Sequence, residues 1–432
     1  MWPWIKVIAA GLFIIAYIFF IFRYDKKHIT VWSVVLVSLL LGVISPLEGW
    51  RAINWNVIGI FIGMFVLSDL FIQSRMPDLI AHYFANRSKN SAVAILWMCT
   101  ISGFISIFVE NVATVLIVAP VAFTIAKKLK VSPIPFILGV AVCSNLQGVA
   151  TLVGDPPSMI MGAFAKLTFN DFFFYQGKPG LFFAVQLGAI AGLAMLWFLF
   201  RKNKAPVPKF DDVKVKSYIP TILMVGMIVL LAIAGFLGLP ESIRENSAGI
   251  VCMAMAFIGA IWYISTQEGT AVKLSHKLIK SVDWETTAFL IGIFILVQTL
   301  STQGIVNDIA DLVSVLAKDG IIWAYLVVVV SAVIFSAFVD NVPFTAAMLP
   351  VAALAAQSIG APPHLLYFGL LIGASVGGNI TPIGASANIV AMGMLKKEGH
   401  NPGFWGFVKI GLPYTIIAVI VSAGFVWFMF GG

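Results

Sequence analysis

Two carboxylates sit in the middle of long apolar runs. Glu110, beside Asn111, falls within the run 91–126, and Asp340, beside Asn341, falls within 321–356. A charged side chain at the centre of a membrane-spanning helix costs about 2.5–3.5 kcal/mol on insertion scales, so such groups usually face a protein interior or a polar cavity and usually serve function. Carboxylates there can take up and release a proton or ligate a cation. Two further polar breaks accompany them: Gly154-Asp155-Pro156-Pro157 interrupts the run 132–165, and Gly377-Gly378-Asn379 interrupts 364–394. Asp155 is placed to cap the half-helix that follows, with proline at a first-turn position where its missing N–H does no harm. Asn111 and Asn341 are expected to cap their own returning half-helices. Half-helix N-termini offer free N–H groups and a positive dipole end, which suit an anion or an oxygen-rich neutral solute.

Each group also has a bland reading. Asp155 can be a helix cap alone, and Glu110 and Asp340 can merely satisfy loose backbone at the turns. Asn145, Asn379 and Asn388 can be interhelical hydrogen-bonding glue. Cys143, two residues before Asn145, is the thiol nearest the motifs; packing is the simpler reading and a thiol ligand the alternative.

The elements that must hold these residues follow from composition. Of 432 residues 60% are hydrophobic and only 11% charged, with mean hydropathy +1.00, far from the roughly 25% charge of a soluble domain. The chain reads as an all-α polytopic membrane protein. Its three cysteines lie scattered in apolar segments, which excludes a disulfide framework and zinc-type spacing. No cofactor, metal or enzymatic chemistry is expected. The net charge of +8 is read as loop lysine and arginine that fix orientation, and not as a nucleic-acid surface.

At about 20 apolar residues per span, spans are expected near 2–22, 31–49, 54–73, 180–200, 218–238, 247–265, 285–300 and 406–430. A stretch at 74–91 has room for a surface helix. The chain also repeats itself. Trp55, Ile62, Gly63 and Phe65 match Trp284, Ile291, Gly292 and Phe294, while Gly148, Thr151 and Gly154 match Gly378, Thr381 and Gly384. Each Glu-Asn or Asp-Asn pair is followed by a proline nine residues after its asparagine, Pro120 and Pro350. The first half is therefore 1–200, with a re-entrant hairpin at about 91–129 and a broken helix at about 132–165. A charged linker, 201–217, leads to a second half, 218–432, with a hairpin at about 321–356 and a broken helix at about 364–394.

If the loops 23–30, 74–91, 127–131, 201–217, 266–284 and 395–405 share one face, that face carries 20 of the 27 lysines and arginines. The positive-inside rule makes it cytoplasmic, with both termini outside, in the inner membrane. An odd number of crossings separates equivalent spans, so the halves are inverted. Inverted repeats with matched interrupted helices point to a secondary transporter whose site lies near the bilayer midplane.

The stretches Phe-Val-Glu-Asn-Val-Ala-Thr-Val-Leu-Ile-Val-Ala-Pro-Val and Ser-Asn-Leu-Gln-Gly-Val-Ala-Thr-Leu-Val-Gly-Asp-Pro-Pro-Ser cover the first-half breaks. Phe-Val-Asp-Asn-Val-Pro-Phe-Thr-Ala-Ala-Met-Leu-Pro-Val and Gly-Gly-Asn-Ile-Thr-Pro-Ile-Gly-Ala-Ser-Ala-Asn cover those of the second. All four resemble the arsenical-pump, sodium/proton-antiporter and pink-eyed-dilution group of the ion transporter superfamily. The resemblance implies a transport site between hairpin tips and helix breaks. By motif it falls on Glu110, Asn111, Asn145, Thr151, Gly154 and Asp155, and on Asp340, Asn341, Gly378, Asn379, Thr381, Gly384, Ser386 and Asn388. The chain departs from the group's usual residues at Glu110, at Gln147-Gly148-Val149 and at Ser158. Related dicarboxylate carriers use Ser-Asn-Thr at the hairpin tips, and carboxylates there would repel such a substrate.

The expectation is an exporter of a small inorganic solute, arsenite or antimonite, in exchange for protons. The alternative is a sodium/proton antiporter; a dicarboxylate carrier or ion channel is disfavoured. No nucleotide-binding loop is present, so any ATP drive would need a separate subunit.

Overall fold

The computed structural model describes residues 3–23, 26–207, 209, 213–316 and 320–431. Within them the chain is helical apart from a short antiparallel ribbon, β1 (Phe174–Tyr175) with β2 (Lys178–Pro179). The first half runs α1 (Pro3–Phe22), α2 (Lys27–Leu40), α3 (Pro46–Ala52), α4 (Trp55–Gln73), α5 (Met76–Asn86), α6 (Ser91–Ser106), α7 (Asn111–Leu129), α8 (Ile134–Gly148), α9 (Pro156–Phe164) and α10 (Leu181–Phe200). The second runs α11 (Ile219–Phe236), α12 (Glu241–Arg244), α13 (Ser247–Thr266), α14 (Ala271–Ser281), α15 (Trp284–Thr302), α16 (Ile305–Leu316), α17 (Ile321–Ser336), α18 (Asn341–Ile359), α19 (Pro363–Gly377), α20 (Ser386–Lys397) and α21 (Gly403–Phe430).

Among the described residues nine helices are long and apolar enough to cross a membrane: α1, α4, α7, α10, α11, α13, α15, α18 and α21. The others are halves and connectors. The span expected at 31–49 is instead α2 followed by a turn and α3. Gly42 at φ +66° reverses the chain there. Ser45 and Glu48 then close a capping box with proline at the first turn, which starts a separate helix. The Ser45 hydroxyl and N–H both donate to Glu48, holding its carboxyl below the usual range. Two amphipathic second-half helices, α14 and α16, lie outside the list of spans; their polar faces hid them from a count of apolar residues.

The repeats are inverted, as contacts at the two ends of α10 show. The end at Phe200 leads into the linker, where the N–H groups of Ser91 and Ala92 donate to the carbonyls of Ala205 and Asn203 at 2.9 and 3.0 Å. Lys216 N–H reaches the Ser74 carbonyl at 2.9 Å, and Lys277 Nζ reaches Gln73 at 3.4 Å, so these loops share this linker face. The end at Leu181 follows the ribbon, whose Lys178 donates to the Met429 carbonyl at 2.7 Å and whose Tyr175 ring packs on His364 and Phe430. Tyr325, in the second turn of α17, donates to the Ala423 carbonyl at 2.8 Å and packs against Trp427, beside that same end. A 20-residue helix is about 30 Å long. Hairpin α6–α7 therefore starts from the linker face and hairpin α17–α18 from the opposite, ribbon face.

Packing obeys the same exchange. In each half the hairpin's first arm packs on the first part of the broken helix, α6 on α8 and α17 on α19. Across the halves α9 packs on α18 and α20 on α7. Each broken helix thus rests on the returning arm of the other half's hairpin. The apolar side chains at these seams, among them Val115, Val118, Phe136, Leu146, Leu349, Leu366 and Phe368, are fully buried, although lipid already solvates apolar surface. Close fit and satisfied polar groups are what hold such helices together.

Candidate functional site

The polar breaks are built as two matching clamps. Thr151 donates from its hydroxyl to the Ile107 carbonyl, and Thr381 to the Ala337 carbonyl. Ser102 donates to the Val140 carbonyl at 2.9 Å, and Ser336 to the Ala374 carbonyl. Each threonine ties a hairpin tip to the unwound segment beside it and satisfies a carbonyl that the helix end has released, while the two serine bonds, one turn out of register with each other, tie the hairpin's first arm to the helix before the break. Glycines make the approach close. A Cβ on Gly154 would lie 2.4 Å from the Gly148 carbonyl oxygen, and one on Gly384 would lie 2.6 Å from that of Gly378.

The tips carry their own caps, and these are the carboxylates. Glu110 Oε2 accepts from the N–H of Ala113 at 2.9 Å, and Asp340 Oδ1 accepts from the N–H of Val342 at 3.1 Å. The expectation that Asn111 and Asn341 would cap α7 and α18 is thereby corrected. An extended residue just outside the helix is the one whose side chain reaches back to N2 or N3, and Glu110 and Asp340 hold that position. Asp155 caps α9 as expected, accepting from the Ser158 N–H at 2.9 Å, while its other oxygen is buried with no hydrogen-bond partner among the described residues.

Asn111 keeps one bond to the helix start, its Oδ1 accepting from the Val112 N–H at 3.0 Å, and its amide also joins a buried network. It donates to Asn145 Oδ1 at 3.0 Å; Asn145 Nδ2 donates to Asn379 Oδ1 at 2.8 Å and to Asn388 Oδ1 at 2.9 Å. Asn379 donates on to the Val142 carbonyl, and Asn388 to the carbonyls of Gly378 and Thr381. Asn145 thus joins the amides of the two halves, and the Asn379 bond to the Val142 carbonyl adds a second link between them.

A cavity of about 180 Å³ opens over this floor, lined by Glu110, Asn111, Asn341 and Ser386 together with Lys27, His28, Pro156, Asp283, Glu285 and Thr286. Both hairpin tips therefore line one space. Its outer wall comes from the starts of α2 and α15, which follow linker-face loops, so it communicates with that face. Thr151, Gly154, Asp155, Gly378, Asn379, Thr381, Gly384, Asn145 and Asn388 do not line it; they form the buried frame beneath. Cys143 is likewise no part of its wall; it lies buried in α8.

One participant escaped the sequence reading. Lys27 Nζ lies 2.8 Å from Asp340 Oδ2, and its side chain is only 10% exposed against 2% for the aspartate. The Ser386 hydroxyl stands within 3.4 Å of both, and the Phe289 ring centroid is 4.9 Å from the ammonium. Tyr17 donates to the Pro343 carbonyl one turn along at 2.7 Å. By contrast, no ion pair reaches Glu110 among the described residues. Lys27 sits 313 positions from its partner in a basic loop where lysine is expected on orientation grounds, so nothing in its spacing singled it out.

The sequence profile of the citrate transporter family (CitMHS) matches residues 17–373. The chain belongs to that family. This member of the citrate transporter family is 30% identical to an uncharacterized transporter of Mycobacterium tuberculosis over 98% of both chains. It is 24% identical to the human P protein, over 86% of this chain and 53% of that longer one, which agrees with the pink-eyed-dilution resemblance. Among solved structures it resembles the YdaH transporter of Alcanivorax borkumensis, described as having an unusual topology, with a TM-score of 0.60 at 14% identity over 91% and 88% of the two chains. MtrF of Neisseria gonorrhoeae, described as illuminating a class of antimetabolite efflux pumps, gives 0.58 at 14% identity over 91% and 84%. These two likenesses support the fold. The family member described here is a multi-pass membrane transporter, with the inverted helical architecture expected from its sequence.

Proposed function

We propose that this transporter exports a small, oxygen-rich inorganic solute, arsenite or antimonite, in exchange for protons, with Glu110 as the proton-carrying group. The observation that carries the reading is that Glu110 lines the cavity with no ion-pair partner among the described residues, whereas Asp340 is already matched by Lys27. A carboxylate poised between charged and protonated forms is the simplest proton carrier. The solute would lie against Asn111, Asn341 and Ser386. It would also meet the first N–H groups of α20, the one of the four half-helices at the breaks whose N-cap, Ala385, has no side-chain cap. Neutral arsenite suits a site that has amides and N–H donors but also a carboxylate.

In this reading the halves 1–200 and 218–432 form the two inverted units around the site. The linker face is cytoplasmic in the inner membrane, with both termini outside, and the cavity is open inward. A separate ATPase subunit would be an optional drive.

Two observations favour other cargo. The acidic mouth of Asp283 and Glu285 would gather cations, which suits sodium/proton antiport. The family's name, together with Lys27 and the uncapped start of α20, suits a carboxylate anion such as citrate. Everted vesicles decide among these. Arsenite uptake driven by an imposed pH gradient is the expected result. Sodium-driven proton movement without arsenite uptake, or citrate uptake alone, would replace the reading.

A further inference from the structure

Lys27 is seated on Asp340 in a close ion pair, and no ion pair reaches the equivalent Glu110 among the described residues. We propose that Lys27 is a tethered cation occupying the second-half carboxylate seat, so that one transported cation is carried at Glu110 and none at Asp340. This rests on the coupling reading given above, and fixes its stoichiometry in a named residue.

The geometry is that of a built site. Asp340 Oδ1 is committed to the Val342 N–H at 3.1 Å, and Oδ2 is held by Lys27 at 2.8 Å and the Ser386 hydroxyl at 3.3 Å. Both sides of the carboxylate are thus taken. Phe289 of α15 covers the ammonium at 4.9 Å, so the pair is walled on the side of that helix. Among the described residues, the charged and titratable groups facing it are Tyr17 from α1, His28 from α2, Asp283 and Glu285 at the start of α15, and Glu110 across the cavity. His28 Nδ1 is 3.7 Å from Glu285, which leaves Lys27 as the cation seated on Asp340. Glu110, at the equivalent position of the other half, lines a cavity that holds no lysine or arginine besides Lys27 among the described residues. A buried carboxylate stripped of its counter-charge must find another cation or a proton, because leaving it bare is costly. Removing Lys27 should therefore turn the second seat into a binding site.

The test is cation-dependent melting of the purified full-length protein, with sodium against choline at fixed pH, and then with acidification in choline. Ligands that bind the folded state raise its melting temperature by mass action. Lys27→Gln should melt lower than wild type in choline and recover on adding sodium or acid, with a rise at least about twice the wild type's. Sodium recovery identifies a sodium seat, and recovery by acid alone a proton seat. Lys27→Gln/Asp340→Asn should lose the added response and keep the wild-type one, because Glu110 is intact; it also contains no lone buried charge and guards against misfolding of the single variant. A Lys27→Gln protein weakened equally in every medium would overturn the proposal, and so would a double variant that had lost the wild-type response. If wild type responds through Glu110 and Lys27→Gln adds nothing, only the role of Lys27 falls. If wild type shows no response at all, the coupling reading falls with it.

Discussion

Glu110 and Asp340 hold equivalent positions and the same capping duty, yet their surroundings give them different work. Asp340 is neutralised within the protein by Lys27, while Glu110 is left to the cavity. Glu110→Gln keeps an acceptor for the Ala113 N–H, so the tip should remain capped while the charge is lost. Solute exchange in vesicles without a gradient should survive, and acceleration by a pH gradient should fall at least about tenfold, the size of a lost coupled step. Unchanged acceleration would return the residue to structure alone. Asn145→Ala acts through packing. It strips hydrogen bonds from Asn111, Asn379 and Asn388 at once, and orphaned buried polar groups cost about 1–3 kcal/mol each, less where neighbours re-pair. The melting temperature should drop clearly, and an unchanged value would show that the network contributes nothing to stability. The amides themselves were legible in the sequence as polar residues in apolar runs. Their mutual pairing was not, since Asn145 and Asn388 lie 243 positions apart and the inverted repeat does not pair them: position 145 matches Ser375 and position 388 matches Ser158.

At the scale of elements, the breaks were readable because glycine and proline in an apolar run admit few explanations. Gly148, Gly154, Gly378 and Gly384 mark places where backbone meets backbone. Gly154→Ala would press a methyl against carbonyl oxygens of Gly148 at 2.4 Å and Ser106 at 2.9 Å; Gly384→Ala meets those of Gly378 at 2.6 Å and Ser336 at 2.8 Å. The atoms that must yield are main chain, so each substitution should cost about 1–3 kcal/mol or more and displace a hairpin tip. Gly393→Ala, with nothing within 4 Å of its Cβ, is the control and should be silent in the same unfolding measurement. Equal effects at the three positions would mean that the two breaks have room for a methyl group. What the sequence concealed here were the connectors. Helices α3, α14 and α16 are too short or too polar-faced to register as spans, and the reversal at Gly42 depends on a single positive φ that no apolar count detects.

The whole molecule is asymmetric in one respect that its internal symmetry makes testable. The repeat superposes α4 on α15 at an offset of 229, so Val57 is the counterpart of Thr286. Thr286 lines the cavity that opens toward the linker face, whereas Val57 is fully buried. The corresponding outlet is shut in this state: Asn56 Oδ1 accepts from the Gly249 N–H at 2.7 Å, and a Cβ on Gly249 would lie 2.8 Å from the Asn56 carbonyl. If the halves exchange conformations during transport, as inverted repeats allow, then α4 and α13 should part while α15 closes over the tips. A cysteine at position 286 should react with a membrane-impermeant thiol reagent applied from the linker face, and one at position 57 should be inert. Supplying cargo under an opposing gradient should slow labelling at 286 and open 57 to reagent from the ribbon face. Both changes are required, because only their opposition distinguishes exchange of the two inverted units from general loosening. Labelling of position 57 from the linker face would contradict the inversion itself, since hairpins entering from opposite faces place its outlet on the other side of Asn145.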